Sequence, residues 1–291
     1  MEETWTILKV LRWTAEYFAS KGIEQPRADA EVLLAHALSM ERIQLYLRFD
    51  QPLTAPELAT YRELVRRRAL REPSQYITGT QEFWSLDFEV NPSVLIPRPE
   101  TELLVDRAAG CIGKNALHIL DLGTGSGIIA VSIAHECSKV SITATDKSWK
   151  ALQVAHRNAL KHRVENRIAF AVSHLFSAFS ARRPIWDLIV TNPPYIGDEE
   201  FHALAPEVAR HEPPEALHGN GPRGMRIIRQ ILEEAPLYLK PGGKLLMEIG
   251  FRQWQPLEQY LLQLGHSRKH FQFIRDHSGI LRVLDLSLGN R

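Results

Sequence analysis

The sequence predicts an α/β protein: a Rossmann-like seven-stranded sheet with a terminal antiparallel hairpin, preceded by a small N-terminal helical bundle and a linking β-hairpin. Three observations lead to this prediction. Residues 1–75 carry apolar residues at spacings of three and four, as amphipathic helices do. From residue 118 onward, short apolar runs alternate with helical patterns, which is typical of a parallel sheet. A glycine-rich loop, Gly123–Gly127, directly follows the first of these runs.

Length and composition are those of an ordinary globular protein. The chain has 291 residues, enough for two domains, of which 44% are hydrophobic and 24% charged. Its net charge of +1 gives no general attraction to polyanions. Cys111 and Cys137 belong to no CxxC pair, which predicts a cytoplasmic protein without a metal site. An acidic start and the lack of an apolar run of ~18 residues predict neither a signal peptide nor a membrane span.

The first 75 residues predict a helical bundle. Helices are expected over Trp5–Lys21, from Pro26, over Glu41–Phe49, and from the capping box at Thr54 to Pro73. The last of these carries a group of arginines: Arg62, Arg66, Arg67, Arg68 and Arg71. The region holds 11 Lys+Arg and 11 Asp+Glu, so two interpretations stay open. The arginines form either a solvated, partly salt-paired face or a face that binds a partner. No residue here suggests catalysis, so we interpret the bundle as a domain that positions the substrate.

Residues 76–95 alternate apolar and polar side chains, which predicts the linking β-hairpin. The segment that follows, Leu95–Glu102, brackets Arg98 between two prolines and places acids where a helix begins. It is either a rigid linker with a helix cap or a stiff loop whose Arg98 or Glu100 reaches the active site.

The glycine loop Gly123-Thr124-Gly125-Ser126-Gly127 lies between a predicted strand and a helix, and such a unit brings backbone close to a ligand. Gly125–Ala130 fits the dinucleotide pattern GxGxxA, so NAD is one candidate. However, Asp121 precedes the glycines, where a carboxylate repels pyrophosphate but can hold an ammonium group. Asp146 ends the next strand and can accept both hydroxyls of a ribose. Together these acids favour S-adenosyl-L-methionine, with the loop at Leu175 along its adenine.

The run Asp187–Val190 predicts a buried strand that ends in Asn192-Pro193-Pro194-Tyr195. Two prolines stiffen this corner and remove two backbone donors. The Asn192 side-chain oxygen and the Pro193 carbonyl can accept both N–H groups of an amide or of an exocyclic base amine, on which Tyr195 can stack. A simple turn that stops a strand is the competing interpretation. Because both loops follow parallel strands, the corner and the glycine loop should share one crevice, which favours catalysis.

The remainder completes the predicted sheet. The long connection 196–223 is either a lid that grips substrate or a surface excursion. Beyond it we expect a helix over Gly224–Leu239, a turn at Pro241–Gly243 and a strand over Lys244–Ile249. A helix over Gln253–Leu264 and a hairpin formed by Phe271–Arg275 and Ile280–Leu286 end the chain.

Several segments together resemble a known family. DLGTGSG, the pair Thr145-Asp146 and NPPY resemble class I S-adenosylmethionine-dependent methyltransferases that act on nitrogen. QYITGTQEF, VLIPRPETE, NPPYI, HEPPEAL and SGILRVL resemble the HemK/PrmC family, the protein-(glutamine-N5) methyltransferases of peptide chain release factors. The resemblance covers essentially the whole chain. It implies the methyltransferase fold. It also implies an enzyme that methylates the glutamine side-chain amide in the Gly-Gly-Gln loop of release factors, with S-adenosyl-L-homocysteine as the second product. It also implies that the 192–195 corner holds that amide.

These inferences define the expected domains and site. The domains are residues 1–75, the hairpin 76–95 and the methyltransferase domain 96–291. The expected catalytic residues are Asn192, Pro193, Pro194 and Tyr195, which with Arg98 also bind substrate. The expected cofactor residues are Asp121, Gly123, Thr124, Gly125, Ser126, Gly127, Asp146, Leu175 and Asn192. We expect a monomer without nucleic-acid or membrane partners. The alternative is a methyltransferase for adenine N6 or guanine N2, but residues 76–291 hold 24 Lys+Arg and 23 Asp+Glu and show no basic footprint.

Overall fold

The chain divides into two compact units. The structure, a computed structural model, describes residues 4–113, 117–181 and 184–289. The first unit runs to Thr80 and also includes Ala205–His211, and the second comprises Gln81–Leu204 and the chain from Glu212 onward. The segment 205–211 therefore clusters with the helical bundle, although the sequence placed it in the methyltransferase domain. The predicted outer limits, residues 1 and 291, lie outside the described residues.

The first unit is a helical bundle around an apolar core. Its helices are α1 (Ile7–Ser20), α2 (Pro26–Ala37), α3 (Arg42–Leu47), α4 (Ala55–Ala69) and α5 (Ser74–Thr78). Thr54 and Glu57 form the expected capping box of α4. Phe18, Leu33 and Leu34 are completely buried at the centre of the core. The short helix α5 was not predicted, because five residues are too few to show a helical period.

Arg68 lies at the centre of a buried ion-pair cluster in the helical unit. Its Nε donates to Asp29 Oδ2 at 2.7 Å, and its Nη2 donates to Glu207 Oε1 at 3.0 Å. Arg71 Nη1 reaches the same Glu207 oxygen at 2.7 Å. The Arg68 side chain is only 7% exposed, so its charge depends on these partners. Glu207 thereby fastens the segment 205–211 to the bundle.

Two further arginines of α4 are paired in a different way. Arg66 forms a surface ion pair with Glu63, and Arg67 forms one with Glu72. These contacts favour the salt-paired interpretation of the arginine-rich helix.

The second unit is built on a twisted sheet covered by helices. A two-stranded hairpin, β1 (Thr80–Phe83) and β2 (Leu86–Glu89), precedes it. The strands of the sheet are β3 (Leu117–Leu122), β4 (Val140–Asp146), β5 (Ile168–Val172), β6 (Trp186–Thr191), β7 (Leu239–Glu248), β8 (Phe271–Arg275) and β9 (Leu281–Ser287). The helices are α6 (Glu102–Cys111), α7 (Ile128–Glu136), α8 (Trp149–Lys161), α9 (Asp198–His202), α11 (Arg226–Glu234) and α12 (Trp254–Gln263), while α10 (Pro206–His211) belongs to the first unit.

The topology of the sheet places a crevice at one edge. Within the described residues the strand order is β5-β4-β3-β6-β7-β9-β8, and β9 runs antiparallel to both β7 and β8. The predicted Rossmann-like seven-stranded sheet with a terminal antiparallel hairpin is confirmed. After β5 the chain crosses to the other side of β3, so β3 and β6 flank the switch point. The pairs Leu122↔Thr191 and Thr191↔Met247 align the carboxyl ends of β3, β6 and β7.

The structure differs from the sequence prediction after the corner. The predicted helix 224–239 is shorter, because α11 ends at Glu234 and a 3-10 turn with Pro236 follows. The predicted turn at 241–243 lies inside the long strand β7. The connection 196–223 holds the short helices α9 and α10, which again are too short for a periodic signal. No helix in the described part of the chain is long and apolar enough to cross a membrane.

Replacing Arg68 by Ala should destabilise the helical unit by about 3 kcal/mol, because Asp29 and Glu207 would lose a buried cation. The measurement is the opening free energy of backbone amides in α1, α2 and α4 by hydrogen exchange. Arg66→Ala is the control, since it removes only an exposed ion pair and should leave exchange at the wild-type level. Similar losses in both variants would contradict the role given to Arg68.

Candidate active site

A cleft opens where β3, β4 and β6 end. Its lining brings together most of the predicted site: Arg98, Gly123, Thr124, Gly125, Ser126, Asp146, Leu175, Asn192, Pro193 and Pro194. Asp121, Gly127 and Tyr195 do not line it. The glycine loop and the proline corner therefore face one crevice, although they are far apart in the sequence.

Asp121 is a buried carboxylate with one unpaired oxygen. Its Oδ2 accepts hydrogen bonds from Thr124 Oγ1 at 2.6 Å and from the Ala130 N–H at 3.2 Å. Its Oδ1 is buried and has no hydrogen-bond partner in the described structure. Burial, with a smaller contribution from the nearby Asp146 carboxylate, raises the pKa of Asp121 to about 7 despite the two hydrogen bonds. A buried oxygen of this kind suits a cationic ligand, directly or through water.

The glycines of the loop serve two purposes. Gly123 and Gly125 have φ of +78° and +56°, and a Cβ at either would meet nothing within 4 Å. Glycine is therefore required there by backbone conformation and not by lack of space. Gly127 has φ of +84°, and a Cβ there would lie 3.0 Å from the Ala155 Cβ. Its role is to let the start of α7 pack closely on α8.

Asp146 lies at the end of β4 and lines the cleft. Its Oδ2 accepts the Gly125 N–H at 3.0 Å, and its Oδ1 accepts the Ser148 N–H at 2.8 Å. Each carboxylate oxygen keeps a lone pair for a ligand hydroxyl. Burial is the main cause that raises the pKa of this carboxyl. Across the cleft, Ser173 Oγ donates to the Leu175 carbonyl at 2.6 Å and fixes the loop after β5.

Asn192 is tied into a hydrogen-bonded network that the sequence did not reveal. Its Nδ2 donates to Thr101 Oγ1 at 3.2 Å, and Thr101 Oγ1 in turn donates to Glu248 Oε2 at 2.7 Å. Thr101 directly precedes α6, and Glu248 ends β7. The one available signal was an acid at the end of the apolar run Leu245–Ile249, since a carboxylate is rarely buried without partners.

The position of Tyr195 differs from the expectation that its ring stacks on substrate. The ring packs against the apolar core beside β6 and β7. Its hydroxyl donates to Glu248 Oε1 at 3.1 Å, and burial raises the pKa of this phenol. Tyr195 therefore anchors the corner from behind and does not face the cleft.

The backbone of the corner is held by Gln253 and by the end of the long connection. Gln253 Nε2 donates to the carbonyls of Tyr195 at 2.9 Å and Arg223 at 2.7 Å, while Gln253 Oε1 accepts the Gly250 N–H at 2.8 Å. Gly224, with φ of +62°, lies so close that a Cβ would overlap the Tyr195 carbonyl oxygen. The connection is thus no surface excursion at this end, because it packs directly on the corner.

Arg98 lines the cleft but is already paired. Its Nη2 donates to Glu212 Oε1 at 2.6 Å, and Glu212 Oε2 accepts the Ile96 N–H at 3.2 Å. The Glu212 side chain is buried. This acid joins the proline-rich loop to the segment 213–216, whose Pro213 also lines the cleft. Arg98 therefore holds two walls of the cleft together and is not a free cation awaiting substrate.

The mixed seven-stranded sheet, with a glycine loop and a proline corner in one crevice, is that of a class I methyltransferase. The family described as methyltransferase small domain matches residues 100–264, and the PrmC N-terminal domain matches residues 9–79. The chain belongs to the release factor glutamine methyltransferase family, which confirms the resemblance seen in the sequence.

Two relatives and one solved structure illustrate the likeness. The chain is 47% identical to the release factor glutamine methyltransferase of Geobacter sulfurreducens, over 86% of each chain. It is 37% identical to that of Rhodopirellula baltica, over 97% of this chain and 96% of the relative. A crystal structure of a methyltransferase from Pyrococcus furiosus aligns with 70% of this chain and 89% of its own, at a TM-score of 0.50 and 20% identity. This last likeness shows the shared fold.

Replacing Asp121 by Asn should remove a pH-dependent loss of stability. The unfolded chain releases this proton near pH 4, whereas the raised pKa keeps it on the folded protein until about pH 7. The wild-type free energy of unfolding should therefore fall as pH rises through this interval, by on the order of 4 kcal/mol. Urea unfolding at several pH values measures this slope, which should be smaller by this amount in Asp121→Asn and unchanged in the exposed Asp106→Asn. An unchanged slope in Asp121→Asn would refute the assignment.

Replacing Gly224 by Ala should displace the corner. The left-handed backbone alone costs about 1 kcal/mol with alanine, and the overlap with Tyr195 should raise the loss of unfolding free energy to about 3 kcal/mol. Methyl transfer should fall as well. Gly279→Ala is the matched control, because Gly279 has φ of +79° but open space around it, so only the smaller loss is expected. Equal stability losses, with activity retained in both, would contradict this account.

Proposed function

We propose that this protein transfers a methyl group to the side-chain amide nitrogen, N5, of the glutamine in the Gly-Gly-Gln loop of peptide chain release factors. The relatives from Geobacter sulfurreducens and Rhodopirellula baltica are both named release factor glutamine methyltransferase. The observation that carries the proposal is that Asn192 and the glycine loop line the same cleft. The group proposed to hold the amide and the loop proposed to hold the cofactor therefore face the same cleft.

The proposed cofactor is S-adenosyl-L-methionine, and the product is S-adenosyl-L-homocysteine. The cofactor supplies a methyl group bound to a positively charged sulfur. The unpaired Asp121 Oδ1 fits its ammonium group. The remaining lone pairs of Asp146 fit the ribose hydroxyls, and Leu175 offers an apolar wall for adenine. The residues of the cleft, with Asp121 buried beside the glycine loop, therefore fit this molecule, whereas the Asp121 carboxylate would repel the pyrophosphate of NAD.

The protein contributes to the reaction mainly by positioning the amide nitrogen against the methyl donor. An amide nitrogen is a poor nucleophile because its lone pair is delocalised. Asn192 Oδ1 and the Pro193 carbonyl accept its two N–H groups, which turns the lone pair toward the methyl donor. The same fixed acceptors stabilise the positive charge that develops on nitrogen. The proton leaves to water afterwards, when methylation has made it acidic, so no side chain has to act as a general base.

The charge distribution supports a protein substrate rather than a nucleic acid. Residues 76–291 have nearly equal numbers of basic and acidic residues, so they offer no electrostatic footprint for a phosphate backbone. We therefore propose that the protein acts on release factors without direct nucleic-acid contact. The proposal also includes that it is a monomer and acts in the cytoplasm.

The proposal is tested by methyl transfer from tritiated cofactor to release factor, DNA and ribosomal RNA offered in parallel, followed by mapping of the label. Asn192→Ala should reduce turnover on release factor by roughly 10²–10³, as for loss of one preorganised dipole. Cofactor affinity should stay within about threefold, since Asn192 acts mainly on the amide.

Asn166→Ala, which changes an exposed asparagine in the 3-10 turn before β5, is the matched control and should turn over like wild type. Label on nucleic acid instead of the release factor would refute the proposed substrate. A change below about threefold in folded, cofactor-binding Asn192→Ala would refute the role of Asn192.

A further inference from the structure

Behind Asn192 lies a buried acid that the mechanism above does not use. Glu248 is 1% exposed, and Thr101, which contacts it, is completely buried. The two residues come from different elements, since Glu248 ends β7 and Thr101 precedes α6. Because Thr191 pairs with Met247, the next residues of the two strands, Asn192 and Glu248, are neighbours at the edge of the sheet. The carboxylate is therefore held directly behind the corner.

The direction of the hydrogen bonds follows from the chemistry of these groups. An ionised carboxylate can only accept, so the single hydrogen of the Thr101 hydroxyl points to Glu248 Oε2 at 2.7 Å. The hydroxyl then has only lone pairs left to offer to Asn192. Of the two ends of the Asn192 amide, only the NH₂ can meet a lone pair, as it does at 3.2 Å. The amide oxygen is thereby directed to the other side.

We propose that Thr101 and Glu248 are positioning residues that fix which end of the Asn192 amide faces the substrate. The inference rests on the proposed function and deepens it. An asparagine side chain is nearly symmetric in shape, so packing alone does not distinguish its oxygen from its nitrogen. In the reversed orientation the NH₂ group would face the N–H groups of the substrate and repel them. The acceptor-only carboxylate excludes that orientation through Thr101.

The second oxygen of Glu248 strengthens the same arrangement. Its Oε1 accepts the Tyr195 hydroxyl at 3.1 Å, three residues after Asn192 on the same corner. The carboxylate therefore holds both ends of the segment 192–195. Both of its oxygens are occupied by donors, which is the condition under which a carboxylate can be buried without a direct ion pair.

The protonation state of Glu248 should then control the direction of the hydrogen bonds that link it through Thr101 to Asn192. Burial raises the pKa of this carboxyl, and Glu100 raises it further, while Thr101, Tyr195 and Arg282 favour the charged form. Once protonated, Glu248 can donate to Thr101, whose own hydrogen is then free to meet the Asn192 oxygen. As the pH is lowered, kcat should therefore begin to fall at a higher pH than that at which an ordinary, solvent-exposed glutamate becomes protonated.

The first test is removal of the Thr101 hydroxyl. Thr101→Val keeps the shape but breaks the relay, and it should lower kcat for release factor about tenfold, while the KM for cofactor stays within about twofold. Thr101→Ser restores the hydroxyl and should recover most of the turnover. Thr14→Val is the matched control, since it removes an equally buried hydroxyl from the helical unit and should leave kcat unchanged.

A double-mutant cycle separates positioning from general support of the fold. If Thr101 acts through Asn192, Thr101→Val should change kcat by less than about twofold when Asn192 is already Ala. The proposal would be overturned if Thr101→Val lowered kcat by the same factor in the wild-type and Asn192→Ala backgrounds. It would also be overturned by a Thr101→Val enzyme with the kcat of wild type. Absence of labelled release factor with the wild-type enzyme would instead overturn the proposed function.

The pH profile of kcat gives a test that does not depend on Thr101→Val folding. Glu248→Gln cannot ionise, yet its amide oxygen can still accept the Thr101 hydroxyl while its NH₂ faces Tyr195. The variant should keep part of the turnover and lose the acid limb seen in wild type. A Glu248→Gln profile with the same acid limb as wild type would overturn the proposal.

Discussion

The alignment of parallel strand ends at one edge of the sheet is the constraint on which the site depends. Leu122, Thr191 and Met247 stand side by side on β3, β6 and β7. The residues that follow each strand are therefore brought together, although 69 residues separate Leu122 from its partner Thr191 in the chain. Thr191 Oγ1 also donates to the Leu122 carbonyl at 2.7 Å, which ties the two strand ends where their loops diverge. Without this register the glycine loop and the proline corner would have no common cleft.

Two buried carboxylates at this edge illustrate opposite uses of the same group. Asp121 has one oxygen that accepts hydrogen bonds from the glycine loop and the start of α7 and one that is unpaired, so it keeps an acceptor for the proposed ligand. Glu248 has both oxygens satisfied by the protein, so its effect is to orient other residues. In both cases burial raises the pKa, because a charge is costly to remove from water.

The long connection after the corner is fixed at several points that the sequence did not indicate. Glu207 pairs with Arg68 and Arg71 in the helical unit, and Glu212 pairs with Arg98 in the sheet unit. Gly224 and Gln253 hold its last part against the corner. The part of the connection from Glu212 onward, which belongs to the second unit, is thereby part of the scaffold that shapes the cleft. Its short helices have too few turns to be stable alone and depend on these contacts.

The sequence by itself determined the elements whose signal is local. The strand Phe271–Arg275 matches the prediction at both ends, and the helix predicted over Gln253–Leu264 differs by one residue at each end, because an apolar run and a helical period depend only on neighbouring residues. The strand–glycine–helix unit and the stiff NPPY corner were also predicted, since glycine and proline act on their own backbone. The association of 205–211 with the bundle, the pairing of Arg98 and the inward turn of Tyr195 were decided only by the tertiary structure. The same holds for the relay from Asn192 through Thr101 to Glu248, because its members lie 91 and 147 residues apart and nothing in their local sequence specifies which groups burial will join.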